Sequence, residues 1–217
     1  MSGGGASAAR GTRLYLSKAV ASNTPVAVVY HGNAGSACDR TYYVSSFAKA
    51  GYATILVEYA GYSADPVPPS HERIKQDVRN VIDYLAHNSG REVVVVGESI
   101  GSGPASYHAA LASPARLVLI TPFTDLHTLA HYHYWFYPTR LVVDNAFDNV
   151  ALLAGYEGPV LLLHGEQDTI VPPKMSGALA AQQPALRDLI MFPGVGHNGL
   201  LLHPDFTETL VDWLRDG

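Results

Sequence analysis

The chain has a single cysteine, Cys38, among 217 residues. That excludes an internal disulfide and any multi-cysteine zinc site, and the lone thiol is expected to act as a small buried hydrophobe. Charge is scarce as well: 15% of residues are Asp, Glu, Lys or Arg, and their balance is -5. That sign argues against a nucleic-acid partner, because phosphate recognition needs clustered Lys and Arg. No apolar run approaches the roughly 18 residues of a membrane-spanning helix. The opening MSGGGASAAR lacks the apolar centre of a secretory signal. Ser2 rather than glycine follows Met1, and the far end has no lipidation box. Residues 1–12 read as a disordered tail or a scar of recombinant expression, and residues 13–217 as one domain. The expected setting is cytoplasmic, with no membrane partner, and nothing in the sequence bears on oligomeric state.

What the chain does have is apolar material, 47% of its residues, enough for one substantial core. It is laid out as an alternation of strand and helix patterns. VAVVYHG (26–32), YATILVEYAG (52–61), REVVVVG (91–97), ARLVLITP (115–122), GPVLLLHG (158–165) and RDLIMFPG (187–194) are short, β-branched runs stopped by glycine or proline. Such runs mark strands buried on both faces. Between them lie helical patterns, for example Ile74, Val78, Val81, Ile82 and Leu85, with Ser70 placed to cap the start. A closing helix from Asp205 carries Phe206, Leu210 and Leu214 on one face. The alternation predicts an α/β fold: a doubly wound, mostly parallel sheet of about seven strands flanked by helices. The stretch 122–158 is longer than a connection needs and is expected to form a short cap insertion.

The chemistry centres on VVVVGESIGSG. Gly97, Ser99 and Gly101 fit G-x-S-x-G at the end of the strongest strand and the start of a helix, the bend that exposes a serine hydroxyl above a sheet. The five-residue pattern is short enough to arise by chance; its strand-to-helix setting gives it weight. A serine needs a base to take its proton and an acid to orient that base. In such a sheet these follow in the order acid, then histidine. LLLHGEQDTIVP offers Asp168 and MFPGVGHNG offers His197, each just beyond a strand. Donors for a developing oxyanion are expected from the N–H of Ile100 and from the loop YHGNAGS, where Asn33 is the first choice and Ala34 the alternative.

Other polar residues receive structural readings. Asp125 is expected to cap a helix, Glu98 to brace the bend, and His164 and His203 to sit as polar residues at element ends. His127, His131 and His133 lack the glutamate of H-E-x-x-H or a clear third ligand, so no metal is expected, and no cofactor is called for. HYHYWFYP (131–138) is rich in aromatics. Trp135 and Tyr134 are expected to face a substrate pocket.

HGNAG, GESIGSG, HGEQDTIVP and PGVGHNG resemble the α/β-hydrolase superfamily, most closely its small short-capped serine hydrolases, which include esterases and depalmitoylases. The resemblance spans about Leu14 to Leu214. It implies Ser99 as nucleophile, Asp168 as acid, His197 as base and Asn33 with Ile100 as oxyanion donors. It also implies eight strands, one of them antiparallel; here only RLYLSK precedes VAVVYHG as a plausible strand. The chain lacks the cysteine-rich amino terminus of membrane-anchored depalmitoylases. The expected function is hydrolysis of small carboxylic esters of short to medium acyl chains through an acyl-enzyme. A thioesterase would use the same machinery, and a non-catalytic ligand-binding protein on this scaffold is the alternative from a different class.

Overall fold

The computed structural model describes residues 6–9, 11–17, 24–63, 65–87, 91–136, 138, 147–183 and 185–216. Eight strands form one sheet: β1 (Ala6–Ala9), β2 (Thr12–Leu16), β3 (Val26–Tyr30), β4 (Ala53–Glu58), β5 (Val93–Glu98), β6 (Arg116–Ile120), β7 (Val160–Gly165) and β8 (Leu186–Phe192). Their spatial order is β1-β2-β4-β3-β5-β6-β7-β8. Only β2 runs against the others, antiparallel to both β1 and β4, while every other neighbouring pair is parallel. This is the α/β-hydrolase fold expected from the sequence.

The helices among the described residues are α1 (Tyr42–Lys49), α2 (His71–His87), α3 (Ser102–Ala112), α4 (Leu126–His133), α5 (Asn149–Leu153), α6 (Pro173–Gln182) and α7 (Phe206–Arg215). The period-two pattern of the strands divides their side chains between two cores. On β3, Val26, Val28 and Tyr30 join Val78 and Val81 of α2 and Ala105 and Ala109 of α3. Ala27 and Val29 point the other way, towards Tyr43 and Phe47 of α1 and Phe206, Leu210 and Leu214 of α7. Because both faces are covered, the central strands can be continuously apolar, and β3, β4 and β7 are buried along their whole length.

Two expectations are corrected. The tail assigned to residues 1–12 includes a strand: Ala6–Ala9 pairs with Thr12–Tyr15 across a turn in which Gly11 takes φ +95°. Thr12 itself is buried, donating to Asp77 at 2.6 Å and accepting from Asn80 at 2.9 Å. The strand was missed because it has no β-branched or alternating signal; backbone pairing at a sheet edge makes little demand on side chains. Cys38, expected in the core, is exposed. It lies on a single turn of 3₁₀ helix whose inward position is taken by Ala37, fully buried. Of the stretch 122–158, positions 137 and 139–146, including Tyr137 of the aromatic run, lie outside the described residues. Among the described residues no helix is long and apolar enough to cross a membrane.

Candidate active site

The bend after β5 exists because its glycines allow two close approaches. A Cβ on Gly97 would lie 2.6 Å from both the Ala105 Cβ and the Gly101 carbonyl oxygen. One on Gly101 would lie 2.2 Å from the Tyr30 carbonyl oxygen and 2.7 Å from that of His31. The first contact seats α3 on β5. The second presses the turn containing Ile100 against the end of β3, where the Asn33 loop begins. Between them Ser99 is held at φ +54°, in the left-handed region. A serine pays for that conformation with strain of order 1 kcal/mol or more, which the surrounding packing must supply. The first turns of the helix that follows direct free N–H groups towards the same place.

Asp168 and His197 reach Ser99 from the loops after β7 and β8. His197 Nδ1 lies 2.6 Å from Asp168 Oδ2, and His197 Nε2 lies 2.9 Å from Ser99 Oγ. A carboxylate oxygen can only accept, so Nδ1 carries the proton and Nε2 is left to accept from the Ser99 hydroxyl. The other carboxylate oxygen, Oδ1, accepts from the N–H groups of Ile170 at 2.8 Å and Val171 at 2.9 Å. Burial by itself pushes the Asp168 carboxyl up. Hydrogen bonds from His164, His197 and the Val171 N–H, with the charge of His197, outweigh it and hold the group well below the ordinary carboxylate range.

His164 contributes more than the polar strand end expected of it. Its Nε2 lies 2.9 Å from the Val171 carbonyl oxygen and 3.2 Å from Asp168 Oδ2, both acceptors, while Nδ1 lies 2.6 Å from Ser176 Oγ. Nε2 therefore carries a proton, and it holds the same carboxylate oxygen that His197 Nδ1 contacts. The signal in the sequence was the spacing to Asp168, four residues across a tight turn. Glu98 braces the bend as expected. Arg40 donates to it twice, at 2.8 and 3.1 Å, and the hydroxyls of Tyr42 and Tyr43 add further bonds at 3.1 and 3.3 Å. The fork from Arg40 ties the residue before Ser99 to the segment after the Asn33 loop.

Of the remaining candidates, Asn33 and Ala34 are exposed on their loop, with Asn33 Oδ1 accepting from Tyr62 at 2.9 Å. Ala34 lines a cavity of about 270 Å³ together with His197, Arg40, Thr121 and Leu201. A second cavity of about 380 Å³ opens beside Ile100 and is walled by Tyr59, Tyr62, Pro69, Ile74 and Phe147. Trp135 and Tyr134 do not line it; they stand 73% and 56% exposed beyond the end of α4. Among the described residues, the aromatic ring that the 122–158 stretch lends to this cavity is Phe147, packed with Phe123, Val171 and Met175. The Pro-rich 65–70 segment, read only as loop, supplies another wall; its place after a strand on the catalytic edge was the available clue. Asp125 caps α4 by accepting from the Thr128 N–H at 2.8 Å. His133 reaches the Ile170 carbonyl oxygen at 2.7 Å, and among the described residues no three metal-ligating side chains gather.

A family profile for the alpha/beta hydrolase fold matches residues 137–204. An uncharacterized protein of Mycobacterium tuberculosis is 32% identical over 177 residues, 80% of this chain and 63% of that protein. The rat (Rattus norvegicus) lysophosphatidylserine lipase ABHD12 is 27% identical over 181 residues, 74% of this chain and 46% of the lipase. The chain thus spans less than two thirds of these relatives' length. Among solved structures, Est1E of Butyrivibrio proteoclasticus with ferulic acid bound superposes with a TM-score of 0.77 at 18% identity, covering 98% of this chain and 96% of that one. An esterase of Exiguobacterium antarcticum gives 0.71 at 18% identity, covering 96% and 97%. This sheet order, this strand-to-helix bend and these matches show the α/β-hydrolase fold.

Proposed function

We propose that the protein is a hydrolase of carboxylic esters that works through an acyl-enzyme. The observation that carries this reading is the chain of contacts from Ser99 Oγ to His197 Nε2 and from His197 Nδ1 to Asp168, at 2.9 and 2.6 Å. In the first step Ser99 Oγ attacks the ester carbonyl while His197 Nε2 takes the hydroxyl proton. The N–H groups of Ile100 and Asn33 donate to the resulting oxyanion. Collapse breaks the bond to the alcohol oxygen, and His197 returns its proton to the departing alkoxide. Water then attacks the acyl-Ser99 carbonyl with His197 again as base, releasing the acid and restoring the hydroxyl. Asp168, held as a carboxylate, stabilises the imidazolium in both halves. Every step uses groups of this chain.

Short to medium acyl chains suit the cavity beside Ile100. Its volume of about 380 Å³ lies at the lower end of the roughly 300–1,000 Å³ of small-ligand sites. The esterase and lipase names among the compared proteins agree with ester cleavage. A thioester presents the same carbonyl to the same serine and is the second reading. The test is a panel of p-nitrophenyl esters and acyl thioesters graded from acetyl to dodecanoyl. Turnover should be greatest between acetyl and hexanoyl and vanish in Ser99→Ala. Octanoyl and longer esters cleaved far better than acetyl and butyryl would overturn the chain-length reading. No hydrolysis of any ester or thioester would favour a ligand-binding protein.

A further inference from the structure

Below the Asn33 loop lies a buried pair of titratable groups that the acyl-transfer steps leave unused. His31, 1% exposed, directly follows β3, and Glu58, 3% exposed, ends β4. Tyr30 and Val57 are register partners in these parallel strands, so the next residue of each lies side by side at the catalytic edge of the sheet. His31 Nδ1 is 2.7 Å from the Gly32 carbonyl oxygen. A carbonyl only accepts, so Nδ1 carries a proton. The other ring nitrogen, Nε2, faces Glu58 Oε1 at 3.6 Å, an ion-pair distance, and neither atom has a hydrogen-bond partner among the described residues.

A bare Nε2 would set a lone pair against a carboxylate in a buried site, two acceptors with no proton between them. A second proton on Nε2 removes that conflict and makes the contact attractive. The surroundings favour the cation further: the ring lies against Tyr59, with centroids 4.4 Å apart, and edge-on to Tyr62 at 5.2 Å. Burial pushes the Glu58 carboxyl up, but the facing His31, the Ser63 side chain and the Ala37 N–H together bring it below its ordinary value. The other charged groups nearby are Asp39 and Arg40 on the turn after the loop and Glu98 at the end of β5. Arg40 is already engaged by Glu98 at 2.8 Å, and Asp39 accepts from the Ser36 N–H at 2.7 Å. Glu58 is therefore the counter-ion that directly faces His31.

The hydrogen bond to the Gly32 oxygen has a consequence one atom further on. The Gly32–Asn33 peptide is trans, since the described chain has no cis bond, so its C=O and N–H point in opposite directions. Gripping the oxygen on one side turns the Asn33 N–H away on the other. We propose that His31, kept as an imidazolium by Glu58, is a positioning residue that orients the Gly32–Asn33 peptide and thereby aims the Asn33 N–H at the oxyanion. The proposal rests on the ester-hydrolase reading for its purpose. Glu58 anchors the same loop a second time, accepting from the Ala37 N–H at 3.1 Å.

Nitrogen-15 spectra of the whole protein, labelled at histidine and at backbone amides, test the pair directly. At about pH 7 both ring nitrogens of His31 should resonate as imidazolium. Glu58→Gln should convert the ring to the neutral Nδ1–H form and shift the Asn33 amide. With p-nitrophenyl butyrate, Glu58→Gln and His31→Gln should each lower kcat about tenfold, less than the loss of a whole oxyanion donor. KM should stay within about twofold, because the loss falls on the transition state. Glu58→Asp, which keeps the charge, should recover part of the rate. A neutral His31 in the wild-type spectrum overturns the proposal whether or not the variants fold. So does an unmoved Asn33 amide in a folded Glu58→Gln protein, or an unchanged kcat in both variants. If the wild type cleaves no ester, the functional reading falls on its own, while the spectra still decide whether the pair orients the peptide.

Discussion

Residues 93–103 and residues 126–136 both lie on the catalytic edge of the sheet, and they are built in opposite ways. In the first, Val94, Val95 and Val96 are wholly buried, and Glu98 is held by four hydrogen bonds from Arg40, Tyr42 and Tyr43. In the second, α4 has no buried residue, and Tyr134, Trp135 and Phe136 stand more than half exposed. Dense packing allows Ser99 to keep a strained backbone angle and a defined distance to His197. The α4 rim bears no such burden, and substitutions there move few neighbours. The proposed chemistry thus sits where the packing is dense, while the α4 rim is exposed.

The contrast breaks most severely at the reacting groups. Ser99→Ala and His197→Gln should each lower ester turnover by a factor on the order of 10⁵ or more while circular dichroism and thermal unfolding stay near wild type. Loss of folding in Ser99→Ala, or substantial retained activity, would contradict the roles assigned. Next in size, Asp168→Asn should cost about 10⁴-fold in kcat, because an amide neither holds the imidazole tautomer nor stabilises the imidazolium. Asp125→Ala, on the loose side of the comparison, should leave kcat unchanged and cost about 1 kcal/mol of stability as the cap of α4 is lost. A reversal of those two outcomes would move the acid to the loop after β6.

The sequence carried the dense region well. Continuous β-branched runs report burial on both faces, and the G-x-S-x-G bend, Asp168 and His197 each sit just after such a run, so their convergence followed from chain order. It carried the walls of the cavity poorly. Trp135 and Tyr134 drew attention because aromatic residues are costly to expose, yet they lie outside the cavity beside Ile100. Tyr59 and Tyr62, which do line it, follow β4, and Phe147 comes from far along the chain, so only tertiary packing assembles them. The hairpin strand at Ala6–Ala9 was silent for a different reason: a backbone-paired edge has no periodicity to read. His31 and Glu58 were equally hidden, since their pairing depends on the register of β3 with β4.

Smaller effects sharpen the comparison. Phe147→Leu should change the ratio of butyryl to hexanoyl ester turnover by about fivefold, within the range that a methylene-sized change in an apolar pocket produces. Trp135→Ala should change it by less than about twofold; the opposite ranking would return the pocket to the α4 rim. The smallest signal is one of stability against pH. His108 is buried, its Nδ1 lies 2.8 Å from the Tyr30 hydroxyl, and desolvation lowers its pKa to about 3. The unfolded chain binds a proton there below about pH 6.5 and the folded chain does not. Stability is therefore fully present above about pH 6.5 and declines as pH falls towards about 3, by up to about 1.4 kcal/mol per unit. Denaturant unfolding of His108→Asn should show a shallower acid slope than wild type; an equal slope would remove His108 from the account.

The central claim, that Ser99 is a nucleophile activated by His197, is tested most directly by reaction with a fluorophosphonate followed by mass spectrometry of the peptides. The account predicts a single adduct per chain on Ser99, absent in Ser99→Ala and formed far more slowly in His197→Gln. An unlabelled wild-type chain, or an adduct on another serine, would contradict it.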